Sequence, residues 1–472
     1  MRKLICIGII CLAYFTSTAQ TLKDTTAIVN KIFEQYSPES PGGELCVSRN
    51  NKIIYSNQWG LASISNKNKI TRNTLIEAGS VSKQFTAAAI LLLEQQGKLS
   101  VNDDVRRYIP ELPEYEAIIT IENLIHHTSG IKDCWSLLSF SDAPRGSVVY
   151  DNEKILKLLC RQKTLNHSPG ENFLYSNSNY ILLAIIVERV TKTTLAAFTD
   201  RYLFKPANMP HTSWRTDYLK SQLISATAYG KRDGQYFIDM PKENVYGNGG
   251  LLTTAADLTN WNNYLMEGRF GQPSLLWKLF HIPPLTSGKA YDYAAGLRVG
   301  TFNGRMRISH DGATAAYRSL LEFYPNEKIS IAWLSNRSEF NGGGGALAEL
   351  RNFLIPEAVS PIDKSITTES LSDRTEHENV NRIPDLSNFV ALAGHYHSDE
   401  ISSDLMVKIE DNKLLMIRKN DDTFKLVPAS GVAFKIADSN VLVEFILNNQ
   451  NQVEGFYFHS PKVKKIAFKR VQ

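Results

Sequence analysis

The sequence has few cysteines, little net charge and no long apolar run beyond its first residues. There are five cysteines in 472 residues, and 52 basic side chains against 48 acidic ones leave a formal net charge of +4. Scattered, balanced charge offers no basic face for nucleic acid, and so few cysteines exclude a small disulfide scaffold. The length and the 43% hydrophobic content instead indicate a globular protein with more than one domain.

The first residues have the pattern of a secretory signal peptide. Arg2 and Lys3 precede an apolar run from Leu4 to Phe15, and Ser17-Thr18-Ala19 offers small residues for cleavage. The apolar run is too short to cross a bilayer comfortably. We therefore expect residues 1–19 to be removed, leaving a periplasmic or secreted protein with no stable membrane span.

Three cysteines, Cys46, Cys134 and Cys160, lie beyond that segment. An odd number implies no disulfide framework. Cys46 and Cys160 lie in apolar patterns and are predicted to be small buried hydrophobes, whereas a pairing of Cys134 with one of them stays open.

Ser80 and Lys83 form the first candidate catalytic pair. Thr74 to Ala78 has the pattern of an extended segment, Gly79 allows a bend, and Gln84 to Gln96 has the pattern of a helix, so Ser80 is predicted to begin that helix. Residues three apart on a helix share a face, which brings the lysine amine to the serine hydroxyl, and the helix N-terminus favours the alkoxide. Because S-x-x-K is common by chance, the pair needs further support.

Two later motifs supply it. Tyr175-Ser176-Asn177 precedes an apolar helical run from Tyr180 to Val190, which predicts a loop at a helix start. His310-Asp311-Gly312 is predicted to end a strand from Arg305 to Ser309, with another strand from Tyr317 to Tyr324 after it. Alone, each motif has an ordinary explanation as a buried aromatic, a helix cap or a turn. Together, in this order, they indicate a nucleophilic site.

The three motifs resemble S-x-x-K, Y-x-N and H-x-G of the serine hydrolases in the class C beta-lactamase and penicillin-binding protein superfamily. Two further stretches, Leu124 to Ile131 and Gly249 to Leu258, are similar to sequences of that family, and the resemblance spans Ile28 to Pro356. It implies an α/β protein of the α+β type. Strands from both ends would form an antiparallel sheet flanked by helices, with helical and loop-rich material from Gln84 to about Thr301.

The resemblance also implies catalytic roles. Ser80 is the expected nucleophile, and either Lys83 or Tyr175 is the expected base, a choice that the sequence leaves open.

Substrate-binding roles follow for four more residues. Asn177 is expected to hydrogen-bond Lys83 and the substrate amide, and the backbone N–H groups of Ser80 and Ala313 are expected to form an oxyanion hole. His310 and Gly312 are expected beside the substrate.

His126 and His127 are the obvious candidates for a metal site. Adjacent residues on a helix point apart, and no carboxylate or cysteine lies nearby at ligand spacing. We expect structural histidines, no metal and no cofactor.

The composition changes after Pro356. The hydrolase domain is predicted at residues 20–356, a polar linker at 357–385, and at 386–472 short alternating runs that predict an all-beta barrel or sandwich. The start Ala393-Gly394-His395-Tyr396 resembles the lipocalin-like beta domain often appended to this hydrolase family.

The sequence thus predicts an exported serine hydrolase that forms an acyl-enzyme on Ser80. A small-molecule or peptide substrate is expected: a D-amino-acid peptide, a peptidoglycan-derived peptide or an ester. His310 replaces the lysine of the beta-lactamase pattern and lacks its fixed charge, so strong beta-lactamase activity is not expected. The alternative is a non-catalytic penicillin-binding-like sensor or binding protein on the same fold. The sequence makes no prediction of the oligomeric state.

Overall fold

The computed structural model describes residues 26–31, 37–339, 345–357, 386–411, 413–419 and 422–471. The chain divides into two compact units, the first made of residues 1–139 with 143–356 and the second of residues 140–142 with 357–472. The predicted signal peptide, residues 1–19, and all but the first residue of the predicted linker, residues 357–385, lie outside the described residues. No helix in the described ranges is long and apolar enough to span a membrane.

The strands of the first unit range from two to ten residues in length. Numbered along the chain, they are β1 Gly43–Arg49, β2 Lys52–Trp59, β3 Leu61–Ser63, β4 Asn68–Lys69, β5 Ile76–Glu77, β6 Ser213–Trp214, β7 Tyr229–Arg232, β8 Gln235–Ile238, β9 Leu251–Thr253, β10 Arg298–Phe302, β11 Arg305–Thr314, β12 Tyr317–Tyr324 and β13 Ile329–Ser335.

The main sheet is antiparallel, six-stranded and ordered β10-β11-β12-β13-β1-β2. Two neighbouring strands inside the sheet, β13 and β1, come from opposite ends of the unit, with Leu45 of β1 opposite Trp333 of β13. Residues Asn50 and Asn51, both at positive φ, form the hairpin turn between β1 and β2. The predicted antiparallel sheet built from both ends of the domain is therefore confirmed.

Helices cover both faces of this sheet. In chain order they are α1 Lys83–Gln95, α2 Ile121–Ile125, α3 Cys134–Leu138, α4 Asn152–Cys160, α5 Asn177–Thr191, α6 Leu195–Thr199, α7 Tyr218–Ile224, α8 Ala255–Met266, α9 Pro273–Phe280 and α10 Ala346–Leu354, with 3₁₀ turns at Gly79–Ser82 and Val105–Arg107 and a π-helical turn at Asp200–Phe204.

The two faces have separate cores. On one face α8 packs on β1 and β13. On the other face, Leu347 and Leu350 of α10 join Val47, Leu320 and Trp333 in a buried cluster. Helix α1 packs against α5, so the helices that carry Lys83 and Asn177 lie side by side.

Two predictions for the first unit need correction. The segment predicted to be helical and loop-rich, Gln84 to about Thr301, also contains the strands β6 to β10. The motif His310-Asp311-Gly312 does not end a strand, because β11 continues to Thr314. The continuous pairing of β11 with β12, from Ile308 opposite Phe323 to Thr314 opposite Tyr317, extends the strand through the glycine.

The cysteines are free in the described ranges, with Cys46 and Cys134 buried and Cys160 half-buried.

The second unit contains a 3₁₀ turn, Leu386–Leu392, and a closed antiparallel barrel. Its strands are β14 Gly394–Ser398, β15 Ser403–Glu410, β16 Lys413–Arg418, β17 Thr423–Ser430, β18 Ala433–Ile436, β19 Leu442–Leu447, β20 Val453–Ser460 and β21 Val463–Val471. Pairing of His395 with Val471 closes the circle. The sequence predicted the all-beta character, but the four-residue β18 carries too short a pattern to be found without its partners.

Aromatic side chains fill part of the barrel interior. The rings of Tyr396, Phe434, Phe445, Phe456 and Phe468 are buried and lie 4.7 to 6.0 Å from one another in successive pairs. Eight strands enclose a space that side chains can fill, so these rings form a packed core.

Candidate active site

The bend that carries Ser80 depends on a glycine. Gly79 has φ +49°, and a Cβ added there would lie 2.7 Å from the backbone nitrogen of Ala313. Only glycine combines this conformation with this close approach. Ser80 lies in the 3₁₀ turn Gly79–Ser82 rather than in the α-helix itself. In a 3₁₀ turn the side chains of residues three apart are eclipsed, so Lys83 still reaches Ser80.

Lys83 is fully buried beside Ser80. Its Nζ donates to Ser80 Oγ at 3.0 Å, to Asn177 Oδ1 at 3.0 Å and to the carbonyl oxygen of Asn248 at 2.6 Å. An ammonium has three donors, and these three acceptors hold it in one position against the hydroxyl. Asn248 was not predicted. It lies just before the Gly249 stretch, and pairing of β5 with β9 brings that stretch to Ser80.

Tyr175 is the second group on the same hydroxyl. Its phenol donates to Ser80 Oγ at 2.9 Å. Burial raises the pKa of Tyr175 above its usual value, and the hydrogen bond to Ser80 opposes that rise. Ser80 Oγ thus accepts from an amine and a phenol, either of which could take up its proton once deprotonated. The geometry keeps Lys83 and Tyr175 as alternative bases.

Asn177 is the first residue of α5, and its carboxamide has a single orientation. Its Oδ1 accepts from Lys83, while its Nδ2 donates to Asp133 Oδ2 at 2.9 Å. The Asn177 backbone N–H donates to the same oxygen at 2.7 Å. Asp133 was not predicted, because in sequence it has the pattern of an N-cap, and it does cap α3 by accepting from Ser136 N.

The third motif lies on β11. His310 is 3% exposed, and its Nε2 lies 3.0 Å from the hydroxyl of Tyr293. Burial, helped by the positive charge of Lys83, lowers the pKa of His310 to about 4. His310 is therefore neutral near neutral pH, which agrees with the expectation that it lacks the fixed charge of the lysine in the beta-lactamase pattern.

Gly312 lets the nucleophile turn approach β11. A Cβ at Gly312 would lie 2.2 Å from the Ala78 carbonyl oxygen and 3.0 Å from the Ser80 nitrogen. Together with the approach of Gly79 to Ala313, this brings the two expected oxyanion donors, the N–H groups of Ser80 and Ala313, to the same strand edge. The structure thus gathers all seven predicted site residues.

An aromatic group that the sequence did not reveal surrounds these side chains. Tyr293 is fully buried and stands edge-on to the Tyr175 ring, with ring centroids 5.7 Å apart. The His127 ring lies 4.3 Å from that of Tyr175. His127 has φ +57°, and its Nδ1 lies 3.2 Å from the backbone nitrogen of Ser176, so it supports the second motif. Tyr293 has no motif around it in the sequence.

Within the described ranges, no three His, Cys, Asp or Glu side chains lie close enough together to hold a metal ion. His126 instead places Nδ1 3.3 Å from the carbonyl oxygen of Tyr293.

Comparison with known families identifies the family of the chain. The family model described as Beta-lactamase matches residues 29–353. The chain belongs to the beta-lactamase family. As a member of the beta-lactamase family it has the fold of serine hydrolases, and the second unit adds the closed barrel.

Other members of the beta-lactamase family are distant in sequence. A penicillin-binding protein of Bacillus subtilis (strain 168) is 28% identical over 320 residues, 63% of this chain and 68% of that protein. A D-aminopeptidase of Brucella anthropi is 27% identical over 313 residues, 66% of this chain and 58% of that protein. The match therefore covers 58% to 68% of the length of these two relatives.

A solved structure shares the fold. The octameric penicillin-binding protein homologue from Pyrococcus abyssi has a TM-score of 0.61 at 18% identity, over 94% of this chain and 99% of that chain. At this identity the likeness concerns the fold alone.

Proposed function

We propose that the protein is an exported serine hydrolase that cleaves small amides or esters through an acyl-enzyme on Ser80. The observation that carries the proposal is the pair of hydrogen bonds at Ser80 Oγ, from Lys83 Nζ at 3.0 Å and from Tyr175 at 2.9 Å. A nucleophile beside a base that is itself held by a third group is the arrangement that acyl transfer needs.

The reaction follows in two steps. Ser80 Oγ attacks the carbonyl carbon while its proton passes to Lys83 or Tyr175, and the N–H groups of Ser80 and Ala313 stabilise the oxyanion. The leaving amine or alcohol takes that proton back from Lys83 or Tyr175 and departs, leaving an ester on Ser80. Water then attacks that ester, and the acid product leaves with Ser80 Oγ protonated again.

The substrate class follows from the charge of the site. The neutral His310 supplies no fixed cation for a carboxylate at that position, so we propose esters and D-amino-acid or peptidoglycan-derived peptides rather than beta-lactams as the main substrates. The similarity to a D-aminopeptidase supports the peptide class. The signal-peptide pattern of residues 1–19 supports export to the periplasm or the medium.

Covalent labelling tests the proposal. The purified chain is treated with a fluorophosphonate probe and with penicillin, and the labelled peptide is identified by mass spectrometry. We expect the label on Ser80 and none in Ser80→Ala, with full labelling in Ser147→Ala, which removes an exposed hydroxyl. Turnover is then measured on D-alanyl peptides, short-chain esters and a chromogenic cephalosporin.

The alternative, a sensor or binding protein, makes the opposite prediction. Its biological activity would be retained in Ser80→Ala, and the wild-type protein would turn over none of these substrates.

A further inference from the structure

The strand that carries His310 has a second face. Side chains alternate along β11, so His310 faces Tyr175 and Tyr293. Its neighbour Asp311, opposite Leu320, faces the side of the sheet covered by α10. A cavity of about 360 Å³ opens on that side. Its charged side chains are Arg298, Arg307, Arg318, Arg351 and Asp311.

Positive charge exceeds negative charge in this lining. Among the lining residues four are arginines, and Asp311 is the acidic one. Arg318 donates to the backbone carbonyls of Ala315 and Tyr317, both at 2.7 Å, and these acceptors are neutral. Arg298 is paired with Asp292 at 2.6 Å.

One buried carboxylate serves two of the arginines. Glu322 is fully buried and accepts from Arg351 Nε at 2.8 and 3.1 Å. Arg307 approaches the same carboxylate only to 4.0 Å. Because a single carboxylate cannot neutralise two guanidinium groups, one positive charge remains beside it.

Arg307 also has an unused donor. Its Nε is buried and has no hydrogen-bond partner among the described residues. A buried N–H without an acceptor costs free energy, and native proteins usually supply one from a side chain, water or an ion. The rest of the Arg307 side chain lines the cavity and is 30% exposed, so its guanidinium is accessible to an anion there.

We propose that this cavity binds an oxyanion, either a carboxylate or a phosphate group. Guanidinium forks match the geometry of both groups. Gly312 and Ala313 line the cavity as well as the catalytic edge of β11, so the oxyanion has two compatible sources: a group carried by a substrate at Ser80, or a free anion.

Isothermal titration of the full chain with inorganic phosphate tests the site. We expect binding to the wild type and affinity lower by about tenfold or more in Arg307→Gln, since one charge-assisted contact is lost. Arg269→Gln, which removes a positive charge paired with Glu267 elsewhere on the surface, should bind as the wild type does. Absence of binding, or equal affinity in Arg307→Gln and wild type, overturns the proposal.

Whether each variant is folded is checked in a separate measurement. Circular dichroism and the thermal midpoint establish that each variant is folded. If Arg307→Gln fails to fold, Arg307→Lys decides instead, because it keeps the charge but loses Nε and the fork. Weaker phosphate binding in folded Arg307→Lys supports the site, and unchanged binding contradicts it.

Kinetics with two esters distinguish an anion carried by the substrate from a free anion. This experiment rests on the proposed hydrolase activity. If the substrate carries the anion, Arg307→Gln raises the KM for the p-nitrophenyl half-ester of succinic acid but leaves that for p-nitrophenyl acetate unchanged. If the anion is free, both KM values stay unchanged while phosphate binding is still lost. Failure to hydrolyse either ester contradicts the proposed function alone, because the phosphate titration requires no turnover.

Discussion

Asp133 fixes the orientation of Asn177 by accepting two hydrogen bonds from it, from the backbone N–H at 2.7 Å and from Nδ2 at 2.9 Å. Since both donors face Asp133, the amide oxygen of Asn177 must face Lys83. Asp133 thus acts on Lys83 through the Asn177 carboxamide, so we regard it as a positioning residue.

Asp133→Asn should therefore lower kcat. A carboxamide accepts less strongly and offers a competing donor, so Asn177 loses its single orientation. We expect a fall of about 10- to 100-fold in kcat, the effect of losing one charged hydrogen bond. Asp151→Asn is the matched control, because Asp151 caps α4 in the same way but does not contact Asn177. Equal kcat in both variants would argue against the positioning role.

Gly79→Ala should abolish most activity because its Cβ would collide with the Ala313 nitrogen, 2.7 Å away. Displacing one oxyanion donor lowers kcat by about 100-fold or more. Gly97→Ala provides the control: Gly97 also has positive φ, +68°, but has nothing within 4 Å of an added Cβ. Both variants should lose about 1 to 3 kcal/mol of stability through backbone strain. Gly79→Ala should lose more because of the collision, and only Gly79→Ala should lose activity. Steady-state kinetics and urea unfolding measure the two effects.

Tyr293→Phe should leave the aromatic packing intact and remove the contact with His310 Nε2. We expect the free energy of unfolding to fall by about 1 kcal/mol and kcat/KM by about fivefold, since His310 is then less well fixed. The control is Tyr291→Phe, whose hydroxyl donates to the Pro283 carbonyl instead. A change in kcat/KM of the same size in the control would assign the effect to general packing.

Acid should destabilise the protein through His310. Its folded pKa of about 4 lies below the unfolded value of about 6.5, so the unfolded state binds more protons between these values. The stabilising contribution is complete above pH of about 6.5 and decreases as the pH falls toward 4, by at most about 3 kcal/mol. The pKa of the buried His126 is also lowered to about 4, so it adds a contribution of the same sign.

Urea unfolding from pH 7 to pH 4 measures this dependence. His310→Gln should reduce it to the contribution of His126, and His211→Gln, at an exposed position, should leave it unchanged. Parallel curves for the wild type and His310→Gln would refute the assignment.

Local features of this protein were predictable from sequence because they depend on residues close together in the chain. The Asn50-Asn51 turn needs only two residues that tolerate positive φ. The approach of Lys83 to Ser80 needs only a helical turn, and either a 3₁₀ or an α turn provides it. The runs that became β12 and β13 are long and apolar enough to indicate buried strands.

Other features depend on contacts between segments that are far apart in the sequence. β10, Arg298–Phe302, is a half-exposed edge strand defined by its pairing with β11, and its sequence has no pattern of its own. Asp133 has the local pattern of a helix cap. Its contact with Asn177 arises only because α5 begins beside it. Tyr293 meets His310, and Asn248 meets Lys83, through contacts that no spacing rule specifies. Sequence by itself determined the chemistry available and the local turns that hold it. Tertiary structure decided which polar groups share a buried space, because there each donor must find an acceptor wherever the fold supplies one.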